Sequence, residues 1–303
     1  MSAGMQRLST AHWFARCGLG VVMLLLACGI ATAWFGSGLQ LPSTTTRDGT
    51  LITLNRYARE PITDVALVGS SLTFRLKEEY FATPKLRNLA LAGGSPVTGL
   101  EIVANQPRLP RIVLVEANVL SRATDTALVE RYSRSGNAEP LFFRPIRTAV
   151  AAYENWLHAP LSHAQVSFAL SQLLRQAPSN FDSHIYANRA LQQFNAEDPT
   201  VAVQMSAKRI EQLIPAIERR GGRVLLFELP YSEQLEGSSS VTITREIIHA
   251  QFPDPDRWLR IDYAKGELRW ADGVHLDERS AVIVTQSIDR VLSSLLGPRR
   301  RPP

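Results

Sequence analysis

Apolar positions along the chain follow three distinct patterns. From Cys17 to Phe35 they run almost unbroken for 19 residues, and no charged side chain occurs between Cys17 and Thr46. At about 1.5 Å of rise per residue such a run makes a helix of about 28 Å, enough to cross a bilayer. Beyond it come short apolar runs at Asp64 to Val68, Arg87 to Leu91, Arg111 to Val115, Arg223 to Phe227 and Trp258 to Ile261. Each has the length and continuity of a strand covered on both faces. Between them apolar residues recur at helical spacing. Ile210, Leu213, Ile214 and Ile217 form one stripe, and Val284, Ile288, Val291, Leu292 and Leu295 another that Gly297-Pro298 ends. Strands alternating with helices predict an α/β fold on a parallel sheet.

Two stretches lie outside that alternation. Residues 37–61, with Gly38, Pro42 and the Ser43-Thr44-Thr45-Thr46 run, read as a tether. Residues 121–200 read as a helical insertion, with Ile146, Val150, Tyr153 and Leu157 on one face and Val166, Leu170, Leu173 and Leu174 on another. This stretch also holds Phe142, Phe143, Trp156, Phe181, Tyr186 and Phe194. They read either as core for a helical layer or as a cap over a binding site whose ring faces suit sugars.

Charge orients the first segment. Arg7 and Arg16 precede the apolar run and no acidic residue occurs before Asp48, which favours a cytoplasmic N-terminus and a body on the far side. Trp13 and Trp34 bracket the run as interfacial anchors. The expected organisation is a basic cytoplasmic N-terminus (1–16), an anchor or signal segment (17–36), the tether (37–61), a catalytic domain (62–296) and a basic tail (297–303). That places the protein in the inner membrane as a single-pass protein with its catalytic domain in the periplasm or outside the cell. A lipoprotein acylated at Cys28 of Leu25-Leu26-Ala27-Cys28, or a protein cleaved after Ala31-Thr32-Ala33, are the alternatives.

The net charge of +5 is carried by Arg7, Arg16, Arg299, Arg300 and Arg301, so residues 17–298 are neutral. A neutral body lacks the basic footprint of a nucleic-acid binder. Both cysteines, Cys17 and Cys28, lie in the first segment. The exported body therefore has no thiol for a disulfide, a nucleophile or a thiolate metal site.

The chemistry-bearing residues stand at strand ends. Val65-Ala66-Leu67-Val68 leads into Gly69-Ser70-Ser71-Leu72, placing a serine where a strand meets a helix and free backbone N–H groups favour developing negative charge. Asp272-Gly273-Val274-His275 lies near the other end of the chain, with Asp three residues before His on a tight turn. A hydroxyl attacks poorly unless an imidazole takes its proton, and the imidazole must be oriented by an acceptor. These two segments supply the three groups.

In that order the blocks resemble the SGNH (GDSL-type) hydrolase superfamily over residues 62–296. Gly69-Ser70-Ser71-Leu72 matches the family's Gly-Asp-Ser-Leu block, Asn88 and Gly93 its second block, Asn118 the Asn of its third, and Asp272 with His275 its last. The resemblance implies a three-layer α/β/α, flavodoxin-like fold with a parallel five-stranded sheet. It further implies Ser71 as nucleophile, His275 as base, Asp272 as orienting acid, and an oxyanion hole from the N–H groups of Ser71 and Gly93 with the Asn118 amide. No metal or organic cofactor is implied. Three positions depart from the family: Ser70 stands for Asp, Glu116 for Gly and Val119 for Asp. Ser70 and Glu116 are therefore candidate modulators. Glu116 is expected to oppose an oxyanion unless turned away or paired with Arg75 or Arg122, and Val119 to leave Asn118 less well fixed.

Anchored members with an altered first block resemble proteins that work beside membrane-bound O-acyltransferases to acetylate polysaccharide. The leading expectation is thus an exported O-acyl esterase or O-acetyltransferase acting on a carbohydrate polymer. A lipolytic esterase or thioesterase is the second. A non-catalytic binding or assembly subunit of a polysaccharide modification and secretion system is the third.

Overall fold

The computed structural model describes residues 3–35, 46–59, 64–133 and 162–297, with positions 150, 153 and 157 between them. Two compact units result: Met1–Glu60 with Ala138–Pro160, and Pro61–Asn137 with Leu161–Pro303.

The first unit contains helix α1 (Ala3–Phe35) and helix α2 (Thr46–Arg59). Within α1 the 22 residues Thr10–Ala31 are long and apolar enough to cross a membrane, and the same length and composition fit a signal sequence. Leu19, Val21, Val22, Met23, Leu24 and Leu26 are all more than half exposed, so this helix is no core element of the folded chain. The stretch read as a tether differs from expectation, because α2 occupies its second half. Its Thr46-Arg47-Asp48 start and its Leu-Ile-Thr-Leu interior suit a helix better than the preceding Ser/Thr run does. Of the expected 121–200 insertion, Ala138–Pro160 groups with this first unit. Phe142, Phe143, Ile146 and Trp156 lie outside the described residues, while Val150, Tyr153 and Leu157 are exposed.

The second unit is a mixed α/β body. Strand β1 (Val65–Val68) is followed by the one-turn helix α3 (Ser71–Phe74), β2 (Leu86–Asn88), α4 (Pro96–Ala104) and β3 (Ile112–Glu116). Next come α5 (Thr126–Ser133), α6 (His163–Arg175), α7 (His184–Ala196), α8 (Thr200–Glu218) and β4 (Arg223–Phe227). Helices α9 (Glu233–Glu236), α10 (Ser239–Gln251) and α11 (Glu278–Leu296) complete the order. The sheet is parallel throughout, in the order β2-β1-β3-β4, with Val65 beside both Leu86 and Ile112, and Ile112 beside Arg223.

Every residue of β1 and β3 is buried, as strands covered on both faces require. Val65, Leu67, Ile112, Leu114, Leu225 and Phe227 share one cluster with Val284, Ile288 and Leu292 of α11, three of the five residues of its expected stripe. Against the same cluster pack Leu170, Leu173 and Leu174 of α6 and Leu191 and Phe194 of α7. The opposite strand face meets α4 closely: a Cβ on Gly99 would lie 3.0 Å from the Val68 Cβ. Ile210, Leu213, Ile214 and Ile217 of α8 are all buried, as their spacing predicted.

The described sheet has four strands rather than the expected five. Trp258 to Ile261 contributes a single parallel bridge, Leu226 to Trp258, with the Leu259 N–H donating to the Leu226 carbonyl at 2.8 Å. The Trp258 N–H is already committed to the Pro255 carbonyl in the 3₁₀ turn Pro255–Arg257, and its indole N–H to the Phe252 carbonyl. The segment thus touches the sheet edge and leaves it.

Because β1 connects toward one edge and β2 crosses back toward the other, the order in which strands are added switches between β1 and β3. The carboxyl ends of these two central strands open on the crevice where ligands bind in such sheets. Leu114 is fully buried at the middle of β3. Leu114→Ala is expected to lower stability by about 2–5 kcal/mol, read as a lower urea midpoint with an unchanged slope.

Candidate active site

The strand-to-helix elbow after β1 carries Ser71. Its geometry needs Gly69, where a Cβ would collide with Thr73 Oγ1 and lie 2.7 Å from Glu116 Oε2. Ser70 is the N-cap of α3, its Oγ accepting from the Leu72 N–H at 3.2 Å. Ser71 is the first helical residue, where a backbone N–H has no intrahelical acceptor.

The acid–base turn lies after α10. Trp270 bridges Leu276 in antiparallel fashion and the Ala271 N–H donates to the His275 carbonyl at 2.8 Å, closing a tight loop. Gly273 has φ +84°, a conformation that glycine adopts freely. Asp272 Oδ1 accepts from the backbone N–H groups of Val274 at 3.0 Å and His275 at 2.8 Å, an Asx-type turn that fixes the carboxylate.

Folding brings the two segments together across 204 positions. His275 Nε2 lies 2.8 Å from Ser71 Oγ, and His275 Nδ1 lies 2.7 Å from Asp272 Oδ2. Partial burial of Asp272 acts to raise its pKa, but the hydrogen bonds from the His275 ring and backbone and the Val274 N–H outweigh it and hold the group at about 2. An ionised Asp272 only accepts, so the proton sits on Nδ1 and the Nε2 lone pair faces the Ser71 hydroxyl. The arrangement can deprotonate Ser71 Oγ as it attacks an electrophile and stabilise the imidazolium that forms.

The remaining expected residues surround the elbow. Gly93 lies in the loop after β2 with φ +81°, and that loop is tied to the elbow by the Leu91 N–H donating to the Gly69 carbonyl at 2.8 Å. Asn118 follows β3 on the other side. The three donors therefore come from the carboxyl ends of adjacent strands, with β1 in the centre. Among the described residues, the N–H groups of Ser71 and Gly93 have no protein acceptor. Asn118 is not left loose by Val119: its Oδ1 accepts from the Leu229 N–H at 2.7 Å and its Nδ2 donates to the Leu229 carbonyl at 2.8 Å. The Asn118 side chain also hydrogen-bonds the Tyr231 hydroxyl. Asn88 closes the far end of α3, its Nδ2 donating to the carbonyls of Thr73 and Leu76, each at 2.8 Å.

Glu116 departs furthest from expectation. It is the last residue of β3, wholly buried, and it pairs with neither Arg75 nor Arg122; the Arg122 Nη1 donates instead to the Gly93 carbonyl at 3.2 Å. The Glu116 carboxylate is turned beneath the elbow. Oε1 accepts from Ser70 Oγ at 2.6 Å, and Oε2 accepts from the Ser70 N–H at 2.8 Å, the Thr73 Oγ1 at 2.6 Å and the Thr73 N–H at 3.2 Å. Burial pushes its pKa up, against those four donors. Glu116 thus clamps the backbone on both sides of Ser71.

Thr73, Leu229 and Tyr231 belong to this site and were not singled out in the sequence. Thr73 sits three residues after Ser70, the capping-type spacing that faces both hydroxyls to one acceptor. Leu229 acts through its backbone, which no residue type reveals. Tyr231 is buried near Asn118; burial first, then the Glu116 charge, hold its phenol protonated.

Comparison with protein-family models and with curated proteins gives no match to either.

Glu116→Gln keeps one acceptor oxygen but turns an NH₂ toward donors that need an acceptor. Leaving buried donors unpaired costs about 1–3 kcal/mol. The variant is expected to melt at a lower temperature and to slow any Ser71 acylation by about tenfold or more, while Glu116→Asp retains more of both. Thermal denaturation and the acylation rate measured on the same preparations check this.

Proposed function

We propose that this chain is a serine-dependent O-acyl esterase or O-acyltransferase of SGNH type, working on a carbohydrate polymer through an acyl-Ser71 intermediate. The observation that carries the reading is the continuous Ser71–His275–Asp272 chain at 2.8 and 2.7 Å. In the first half-reaction Ser71 Oγ attacks the ester carbonyl while its proton passes to His275 Nε2. The bond to the leaving oxygen then breaks and that oxygen takes the proton from the imidazolium. In the second half-reaction water or a sugar hydroxyl gives its proton to His275 and attacks the acyl carbon, and Ser71 is regenerated. The acceptor-free N–H groups of Ser71 and Gly93 supply the donors for the developing oxyanion, beside an Asn118 amide held by Leu229 and Tyr231; each such donor typically contributes about 3–4 kcal/mol to lowering the barrier.

The strand order β2-β1-β3-β4 with a bridge at the β4 edge supports the flavodoxin-like, three-layer reading, its fifth strand reduced to one ladder bond. The Leu229 clamp on Asn118 and the inward turn of Glu116 weaken the case for a catalytically silent subunit, which rested on those altered positions. Arg7 and Arg16, within α1 and ahead of its apolar run, support a cytoplasmic N-terminus and an exported body that receives acyl groups from a membrane-bound O-acyltransferase.

Brief exposure of the detergent-solubilised full chain to p-nitrophenyl acetate is expected to add one acetyl mass to the Ser71 peptide. Ser71→Ala abolishes it, and an unlabelled wild-type Ser71 overturns the reading. Asp272 stays ionised throughout the neutral and mildly acid range, so protonation of the imidazole alone removes the base. Acylation is expected to fall as the medium is made acid, because an imidazolium cannot act as base. A flat rate under chemistry-limited conditions contradicts the assignment of His275. The depressed Asp272 also makes a stability contribution that is complete above its unfolded value near about 4 and is lost as pH falls toward 2.

A further inference from the structure

Helix α7 comes from the stretch between β3 and β4, yet it builds against both halves of the active site. Ala187 in its first turn is buried, and a Cβ on Gly273 would lie 2.6 Å from the Ala187 Cβ and 2.8 Å from its Cα. The helix backbone therefore rests directly on the turn between Asp272 and His275. At its other end Phe194 meets Tyr231 edge-on, with ring centroids 5.8 Å apart and planes at 80°. Side-chain bonds fix the helix further: Gln234 Nε2 donates to Asn188 Oδ1 at 2.8 Å and the Ser239 N–H to Asn195 Oδ1 at 3.0 Å.

Immediately before Ala187 stands Tyr186, 54% exposed, and its ring lies 5.8 Å from that of Phe181, itself 61% exposed, with the planes tilted by 33°. Tyr186 is thus carried on a helix packed against the acid–base turn, and Phe181, in the loop just before that helix, lies beside it. Phe74, 41% exposed, stands one helical turn after Ser71. Positions three apart on a helix share a face, so an aromatic ring also borders the nucleophile. Large exposed rings beside a reactive pair mark a binding surface.

We propose that Phe181 and Tyr186 form the stacking platform of an acceptor subsite, which holds a pyranose ring of the glycan with one hydroxyl directed at the acyl-Ser71 carbonyl. The inference rests on the acyl-Ser71 reading above and adds the group that receives the acyl chain. A pyranose has an apolar face of C–H groups and a rim of hydroxyls. Laid on the rings, it keeps its rim free, and His275, on the turn that Ala187 of the same helix touches, supplies the base its attacking hydroxyl needs. An acyl chain would instead call for an enclosed apolar slot, whereas both rings are more than half open to solvent. The neutral charge of residues 17–298 suits a glycan held by ring faces rather than by ion pairs.

The test separates the two half-reactions of the detergent-solubilised full chain. Ser71 is acylated with p-nitrophenyl acetate or p-nitrophenyl hexanoate, and acyl transfer to β-1,4-linked hexasaccharides of glucose, mannose and N-acetylglucosamine is measured against hydrolysis. Tyr186→Ala with Phe181→Ala is expected to leave acetylation of Ser71 within about twofold of wild type. Transfer to sugar should drop about tenfold or more, and Tyr186→Trp should restore it. Matched circular dichroism and melting curves show that the exposed substitutions leave the fold intact. Unchanged transfer by the double variant overturns the subsite, as does the absence of transfer to every hexasaccharide from a fully acylated wild type. Selective loss of hexanoate acylation also overturns it, by making the rings part of a donor groove. Failure to acylate Ser71 at all defeats the acyl-enzyme reading itself.

Discussion

A buried carboxylate under the nucleophile elbow is the constraint on which the site depends. Removing the Glu116 side chain from water carries a large penalty unless donors replace the lost hydration, and all four replacements come from Ser70 and Thr73. Two of them are backbone N–H groups, so satisfying the carboxylate fixes main-chain geometry as well as rotamers. Ser71 lies between the two clamped residues and has little freedom to move its Oγ away from His275. The carboxylate spends its lone pairs on Ser70 and Thr73, and on the proposed reading this holds the attacking group in place. Seen this way, Ser70 and Glu116 form one exchange: the elbow supplies the donors and the neighbouring strand supplies the acid.

The sheet makes that exchange feasible. With β3 hydrogen-bonded beside β1 in parallel register, Val68 pairs with Val115, so the next residue on β3 lies level with the elbow. A one-residue change of register would turn Glu116 to the opposite face. The same order places the Gly93 loop on the other flank of β1 and Asn118 just beyond Glu116. Three strand ends thus converge through backbone pairing, reinforced by the Glu116 side chain on Ser70 and Thr73 and by Arg122 on the Gly93 carbonyl.

Much of this was legible in the sequence because it depends on local signals. The five strand positions were evident from short continuous apolar runs, and four of them form ladders. The α8 and α11 stripes were evident from 3.6-residue spacing. The pairing of Asp272 with His275 followed from a glycine-centred turn, and Ser71 from its place after Val65–Val68. What the sequence did not reveal depends on competition for backbone groups. Trp258 reads as a strand start, but a 3₁₀ turn had already taken its N–H. Residues 46–59 read as tether because the polar run before them dominated the window. Val119 suggested a loose Asn118, since the partner that fixes it is the main chain of Leu229, over a hundred positions away and indifferent to its own side chain. The burial of Glu116 was equally hidden: a lone acid after an apolar strand looks solvated until its register against β1 is known.

The placement of α7 bears on the choice between water and sugar as acyl acceptor. Ser71 and His275 are neither of them fully buried, so on the proposed acyl-Ser71 reading water reaches the pair and an acyl group there would face hydrolysis by default. A transferase at such a site cannot depend on exclusion alone. It needs an acceptor held at high effective concentration, and orientation of that kind is worth far more than the difference in reactivity between a sugar hydroxyl and water. Helix α7 touches Gly273 through Ala187 and Tyr231 through Phe194, so a ligand on Tyr186 is referenced to the acid–base turn on one side and to the Tyr231 neighbourhood on the other. On the proposed reading, a surface fixed in this way is the part of this fold best placed to decide the fate of the acyl group.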